Sequence, residues 1–237
     1  MSVFASLVER LADLLQPLFG ASAAAAAIVL FTALVRLLVH PLSRAAARGQ
    51  QARTRLQPKI AELRKKHAGH PEKLQRAVLE LHAAEKVSPL SGCLPSLCQL
   101  PAFFLLYHLF SSETIGGRAN ELLTHQLFAA PLGGRWADAL GAGGPLGGAG
   151  LVYAGLFAVV AGVAAFTYRR TKLMTAARPV LPVAEGEQVP GLGAVTKVLP
   201  FLSFFTLVTV AVVPLAAALY VVTSTTWSAV ERAVLYR

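Results

Sequence analysis

The chain has 237 residues, of which 55% are apolar and 14% charged, and its mean hydropathy is +0.57. That balance excludes an ordinary soluble domain and points to a polytopic membrane protein. Twenty-two basic residues against twelve acidic ones give a net charge of +10. The surplus is concentrated between apolar runs, so it speaks for membrane orientation and against DNA binding.

In residues 1–20, Val3, Phe4, Leu7, Leu11, Leu14, Leu15 and Leu18 recur at helical spacing, while Glu9, Arg10 and Asp13 interrupt the run. The segment has no basic lead and no small-residue cleavage site, so it is expected to stay on the mature protein. It reads as an amphipathic helix lying in the membrane interface, with a surface helix packed on protein as the alternative.

Five segments approach the ~20 apolar residues that a helical span needs: residues 21–42, 91–110, 149–168, 198–213 and 215–237, the last including a short tail. Residues 43–90 carry Arg44, Arg48, Arg53, Arg55, Lys59, Arg64, Lys65, Lys66, Lys73, Arg76 and Lys86 and should be cytoplasmic. Within them Leu56, Ile60 and Leu63, then Leu74, Val78 and Leu81, predict two helices joined at Ala68–Pro71 as a helical hairpin. Gly69 suits the end of the first helix and Pro71 the start of the second, and Pro58 should start or kink a helix. The charged face of this hairpin is either solvated surface or a docking surface.

Residues 111–148 set Arg118 and Arg135 against Glu113, Glu121 and Asp138, which fits an extra-cytoplasmic loop; its glycine-rich end, GAGGPLGGAG, reads as a flexible linker. Residues 169–197, with Arg169, Arg170, Lys172, Arg178 and Lys197, return to the cytoplasm, and their proline- and glycine-rich part from Thr175 to Gly193 reads as mobile. The three loops agree on an N-out, C-in topology. The fourth span would rise only about 24 Å, short of a ~30 Å hydrocarbon core, and local bilayer thinning is one consequence.

Arg36 is the only fixed charge sunk within the first four of these apolar segments, and in the fifth the charges Glu231, Arg232 and Arg237 come only towards its end. A guanidinium in hydrocarbon costs at least ~2.5–3.5 kcal/mol, so it faces a polar cavity or snorkels to the surface. Thr32 lies one turn before it. Gln99 falls between Pro95 and Pro101 in the second span, where a kink would free backbone carbonyls. Tyr220, Thr223, Ser224, Thr226 and Trp227 add hydroxyls and an indole in the fifth. Arg36, Thr32, Gln99, Tyr220, Thr223 and Trp227 are therefore the candidate lining of a hydrated groove. Helix–helix hydrogen-bonding glue is the alternative for the neutral ones.

No carboxylate occupies the centre of a span, which argues against proton-coupled transport and acid–base catalysis, and no hydrolase motif is present. The six histidines show no ligand spacing, and Cys93 and Cys98 form neither a disulfide framework nor a zinc knuckle. The expectation is a non-enzyme with no metal and no small-molecule cofactor.

Four stretches, TALVRLLVHPLS, LQPKIAELRKKHAGHPEKLQ, EKVSPLSGCLPSLCQLPAFFLLY and VVPLAAALYVVTST with the terminal VLYR, resemble in sequence and order the Oxa/YidC/Alb family. The likeness is to the Gram-positive type, without a large extra-cytoplasmic domain. It implies an all-α protein of the bacterial cell membrane, with a five-transmembrane-helix core around a hydrophilic groove and a cytoplasmic helical hairpin beside it. Arg36 then matches the groove arginine, Thr32 the hydroxyl one turn before it, Gln99 the second-span glutamine and Tyr220 a tyrosine of the last span. The chain departs from the family pattern at Val221, where a second aromatic is common. The implied function is that of a membrane protein insertase and folding chaperone. Its partners would be nascent membrane proteins and membrane lipid, with the ribosome and the Sec translocon as further candidates. A small-anion transporter using Arg36, or a structural scaffold, are the competing readings.

Overall fold

The computed structural model describes residues 2–85, 87, 104, 106–115, 117–176 and 204–235. Helix dominates them, as in an all-α membrane protein, and their strands are two-residue pieces. Gln99, Cys93, Cys98, most of the second span, the inner loop beyond Ala176 and the first part of the fourth span lie outside the described residues.

Helix α1 (Ser2–Phe19) gives way to a single 3-10 turn at Gly20–Ser22, where Gly20 has φ +53°. A left-handed backbone of this kind suits glycine, and here it lets the chain change direction. Helix α2 (Ala23–Lys66) is unbroken over 44 residues, about 66 Å at 1.5 Å per residue. It runs through both Pro41 and Pro58. The expected end at residue 42 is therefore not a helix end, and Pro58 starts no helix. Each proline removes only one amide from the ladder, and the turns on either side keep the rest in register.

Contacts divide the chain into two compact units, Met1–Leu37 with Phe104–Ala233, and Leu38–Phe103 with Val234–Arg237. In the first, α1 contributes Ala5, Val8 and Ala12 to the core, and α2 contributes Ala24, Ala25, Ala27 and Ile28. Small side chains predominate on both, as is common where membrane helices pack. Helical residues 106–111 add Leu106, Leu109 and Phe110. After the loop come α4 (Trp136–Gly143), α5 (Gly148–Ala176), α6 (Phe205–Val212) and α7 (Leu215–Leu235). Every residue of α7 from Leu215 to Val222 is buried, so this helix starts as the centre of the unit. Extended Val213 and Pro214 separate α6 from α7, as the sequence leads one to expect.

Among the described residues two helical runs, Phe4–Lys66 and Gly148–Leu173, are long and apolar enough to cross a membrane. Helix α7 has the length, 21 residues, but its Thr223–Ser228 run is hydroxyl-rich.

The loop between the second and third spans is built rather than slack. Strands β1 (Thr114–Ile115) and β2 (Arg118–Ala119) pair antiparallel, as do β3 (Gln126–Leu127) and β4 (Ala130–Pro131). Buried Asn120 donates from Nδ2 to the carbonyls of Leu109 at 2.8 Å and Ser112 at 3.0 Å, tying the loop to the end of the helix before it. The amides of Leu215 and Ala216 donate to the carbonyls of Gly134 and Leu132, both at 2.9 Å. The Tyr153 hydroxyl donates to the same Gly134 carbonyl at 2.6 Å. Trp136 packs its ring on Tyr153 and, edge to face at 5.3 Å, on Phe157.

The glycine-rich end of this loop, expected as a flexible linker, is close-packed in its second half, whereas Gly141, Gly143 and Gly144 face open space. A Cβ on Gly150 would lie 2.4 Å from the Gly144 carbonyl oxygen, and one on Gly148 would lie 2.8 Å from Ala129 Cβ. Composition signals backbone freedom; these glycines are used for close approach.

The second unit takes in α2 from Leu38 onward and α3 (Pro71–Ala84), joined by a turn in which Gly69 has φ +84°. Leu56, Ala61 and His82 are buried, and Ile60, Leu63, Leu74, Val78 and Leu81 are half-buried, which is the set picked out by the periodicity. Lys59 forms an ion pair with Glu85, and the His82 ring is bonded through Nδ1 to the Val87 carbonyl at 2.9 Å. Gln51 donates from Nε2 to the Leu235 carbonyl at 3.1 Å.

Candidate functional site

The site forms where α2 meets α7 in the first unit. Arg36 is half-buried and donates from Nε to the Ser224 hydroxyl oxygen at 3.1 Å and from Nη2 to the same oxygen. The two residues are 188 positions apart in sequence. Glu231, two turns beyond Ser224 along α7, acts on Arg36 through its opposite charge. A guanidinium bears five donors and no acceptor, and two of them meet the one Ser224 oxygen.

Helix α7 presents Tyr220, Ser224 and Trp227 at i, i+4 and i+7, a single stripe by helical geometry. Tyr220 is buried with its ring 6.0 Å from that of Phe110, which fixes the upper end of the stripe. Thr223 is half-buried beside it. Thr225 and Ser228 return their hydroxyls to their own helix, on the carbonyls of Val221 and Ser224 at 2.8 and 2.9 Å. Trp227 Nε1 and Thr226 Oγ1 behave differently: both atoms are buried and neither has a hydrogen-bond partner among the described residues. Buried polar atoms in this state cost free energy unless water or a polar ligand reaches them.

Thr32 is 1% exposed, and its hydroxyl donates to the Ile28 carbonyl four residues back at 2.7 Å. Its hydrogen is committed to its own helix. Arg36 thus meets Ser224, with Tyr220 and Trp227 on the same stripe of α7 and Thr223 next to it in sequence; Thr32 lies one turn before Arg36 on α2, and Gln99 is outside the described residues. Sequence reasoning named Ser224 among the fifth-span hydroxyls without singling it out as the partner of Arg36. The i, i+4 spacing from Tyr220 was the available signal.

Three relatives carry the name "Membrane protein insertase YidC". The one from Clostridium perfringens (strain 13 / Type A) is 45% identical over 87 residues, 37% of this chain and 37% of that protein. The one from Magnetococcus marinus is 46% identical over 81 residues, 34% of this chain and 15% of the relative. For Anaeromyxobacter sp. (strain Fw109-5) the figures are 44% over 101 residues, 43% and 18%. The matched stretches thus span well under half of these relatives' own lengths. The match to the family profile is far longer: residues 14–237 fit the 60Kd inner membrane protein, and the chain belongs to that family.

Proposed function

We propose that this chain is a membrane protein insertase and folding chaperone, which moves newly made membrane proteins from the cytoplasm into the bilayer without making or breaking a bond. One observation carries the reading: Arg36, in an apolar helix, gives two donors to the Ser224 hydroxyl of a distant helix. Its positive charge attracts acidic residues in a short polar segment of the substrate. The Trp227 indole nitrogen, on the same stripe as Ser224, supplies a further polar contact along the path. Polar groups that would otherwise cross hydrocarbon bare meet water and donors instead, which lowers the cost of their passage. The substrate's apolar helix stays at the boundary between protein and lipid.

In this reading five transmembrane helices surround the groove, with Thr32, Gln99, Tyr220 and Thr223 in its wall beside Arg36 and Trp227. The N-terminus is outside and the C-terminus cytoplasmic, as the loop charges favour. The basic α2–α3 segment is a cytoplasmic hairpin that receives substrate, and ribosomal RNA and the Sec translocon are candidate neighbours of it. Small-anion transport finds no support in the relatives' names.

The test is insertion of a one-span protein with an acidic outer segment into liposomes carrying wild type, Arg36→Lys or Arg36→Ala at matched amounts, or no protein. Wild type and Arg36→Lys should insert it, with Arg36→Ala near the empty-vesicle level. Equal insertion by Arg36→Ala would overturn the role given to the charge.

A further inference from the structure

The tip of the β3–β4 hairpin carries an aromatic residue in a backbone conformation that aromatic residues avoid. Phe128 has φ +54°, the only positive φ outside glycine among the described residues. Its ring is 76% exposed. Glycine would adopt this backbone without strain, whereas a side chain there meets its own carbonyl. The conformation is pinned from two sides. The Phe128 amide donates to the Ser22 hydroxyl at 3.2 Å, at the turn that opens α2. The next residue, Ala129, packs against Gly148, the first residue of α5, so closely that a Cβ there would lie 2.8 Å away.

The hairpin tip is thus fixed at the level where α2 and α5 both begin. Helix α5 opens one of the two runs apolar enough to cross a membrane, and α2 makes up most of the other, which begins at Phe4; with α2 and α5 as the spanning parts, this level would be the edge of the hydrocarbon. Other apolar side chains are exposed on the same two turns. Phe19 ends α1 just before Gly20, and Leu146, 83% exposed, sits in the turn before Gly148. Leu18, beside Phe19, is likewise exposed. Aromatic rings at this depth place their apolar bodies in the acyl region below the headgroups.

We propose that Phe128, with Phe19 and Leu146, forms an anchor that dips into the bilayer leaflet on the loop side and holds the loop at the membrane surface. The occupant of this apolar rim is phospholipid. The continuity of the rim with the starts of two membrane-crossing helices is the ground for choosing lipid over a protein partner. The proposal does not depend on which side the loop faces, nor on insertase activity.

A nitroxide label tests it. Phe128→Cys, in a chain that also carries C93S and C98S, is labelled and reconstituted in vesicles of phosphatidylethanolamine and phosphatidylglycerol. Collision rates with oxygen and with a water-soluble nickel chelate are compared with those of a label at exposed Thr124 on the same loop. Oxygen should outweigh nickel severalfold at 128, with the order reversed at 124. Equal nickel access at the two positions, or shielding of 128 from both reagents as a second copy or another protein would give, overturns the proposal. An unlabelled check uses Phe128→Trp: brominated acyl chains should quench its emission beyond that of the unchanged chain, and no added quenching also overturns it.

Discussion

Ser224→Ala removes the oxygen that receives two donors of Arg36. A hydrogen bond to a charged group contributes about 1.5–3 kcal/mol, and the guanidinium here is half-exposed, so the loss should sit near the lower figure. Thermal unfolding in detergent micelles measures it. In the insertion assay the same variant should fall between wild type and Arg36→Ala, because the charge remains but is no longer aimed. Thr32→Val makes the opposite prediction. The carbonyl that its hydroxyl meets is already within the helical ladder, so losing that bond should change stability by less than about 1 kcal/mol and leave insertion unchanged. A large insertion defect in Thr32→Val would mean that its oxygen also serves the groove. Arg36 was legible in the sequence because a lone charge in an apolar run stands out in one dimension. Ser224 was not, because hydroxyls are common in α7 and the choice among them depends on a helix 188 residues away.

At the scale of elements, glycines on the same helix have opposite uses. On Gly150 a Cβ would meet the backbone oxygens of Gly144 and Pro145 at 2.4 and 2.7 Å, whereas around Gly155 there is open space. Gly150→Ala should therefore cost roughly 1–3 kcal/mol through overpacking. Gly155→Ala should be neutral or stabilise α5 by about 0.5–1 kcal/mol through lost backbone entropy in the unfolded chain. The pair, measured side by side by thermal unfolding, separates close packing from mere flexibility. The tightness at Gly150 was not visible in the letters GAGGPLGGAG, which look alike whether a turn is tight or loose. Third-span residues 149–168 were legible because apolar length is a local property, and they fall within α5. That the helix continues past residue 42 was not legible for the opposite reason: a proline and a change in polarity alter the surroundings of α2 without breaking its hydrogen-bond ladder.

For the whole molecule, polarity is distributed in an order that suits a membrane path. Helix α7 begins fully buried among small apolar residues and becomes hydroxyl-rich from Thr223 onward. A hydroxyl-bearing stretch replaces an apolar one within a single helix. Extending the apolar part, by Thr223→Leu with Thr226→Val, should preserve folding but weaken insertion of substrates with polar outer segments more than that of substrates with short, uncharged ones. Equal loss for both substrate classes would point to damaged packing instead. The all-helical class and the placement of the outer apolar runs followed from composition and period. The loop's internal construction did not, since its strands are two residues long and its bonds reach to α7 and α5.

The start of α7 is capped without a capping side chain. Its first amides are met by the carbonyls of Leu132 and Gly134, groups that every residue type carries at those positions. What this joint fixes is therefore the path of the loop, in residue count, more than the identity of its side chains. Adding or deleting one residue between Pro131 and Arg135 would slide both acceptors away from their donors and leave helix-terminal amides bare in an apolar surrounding. Related chains should accordingly tolerate exchange of exposed residues along this loop while keeping its length here constant, so that an alignment of the family would show variable letters in a gapless block.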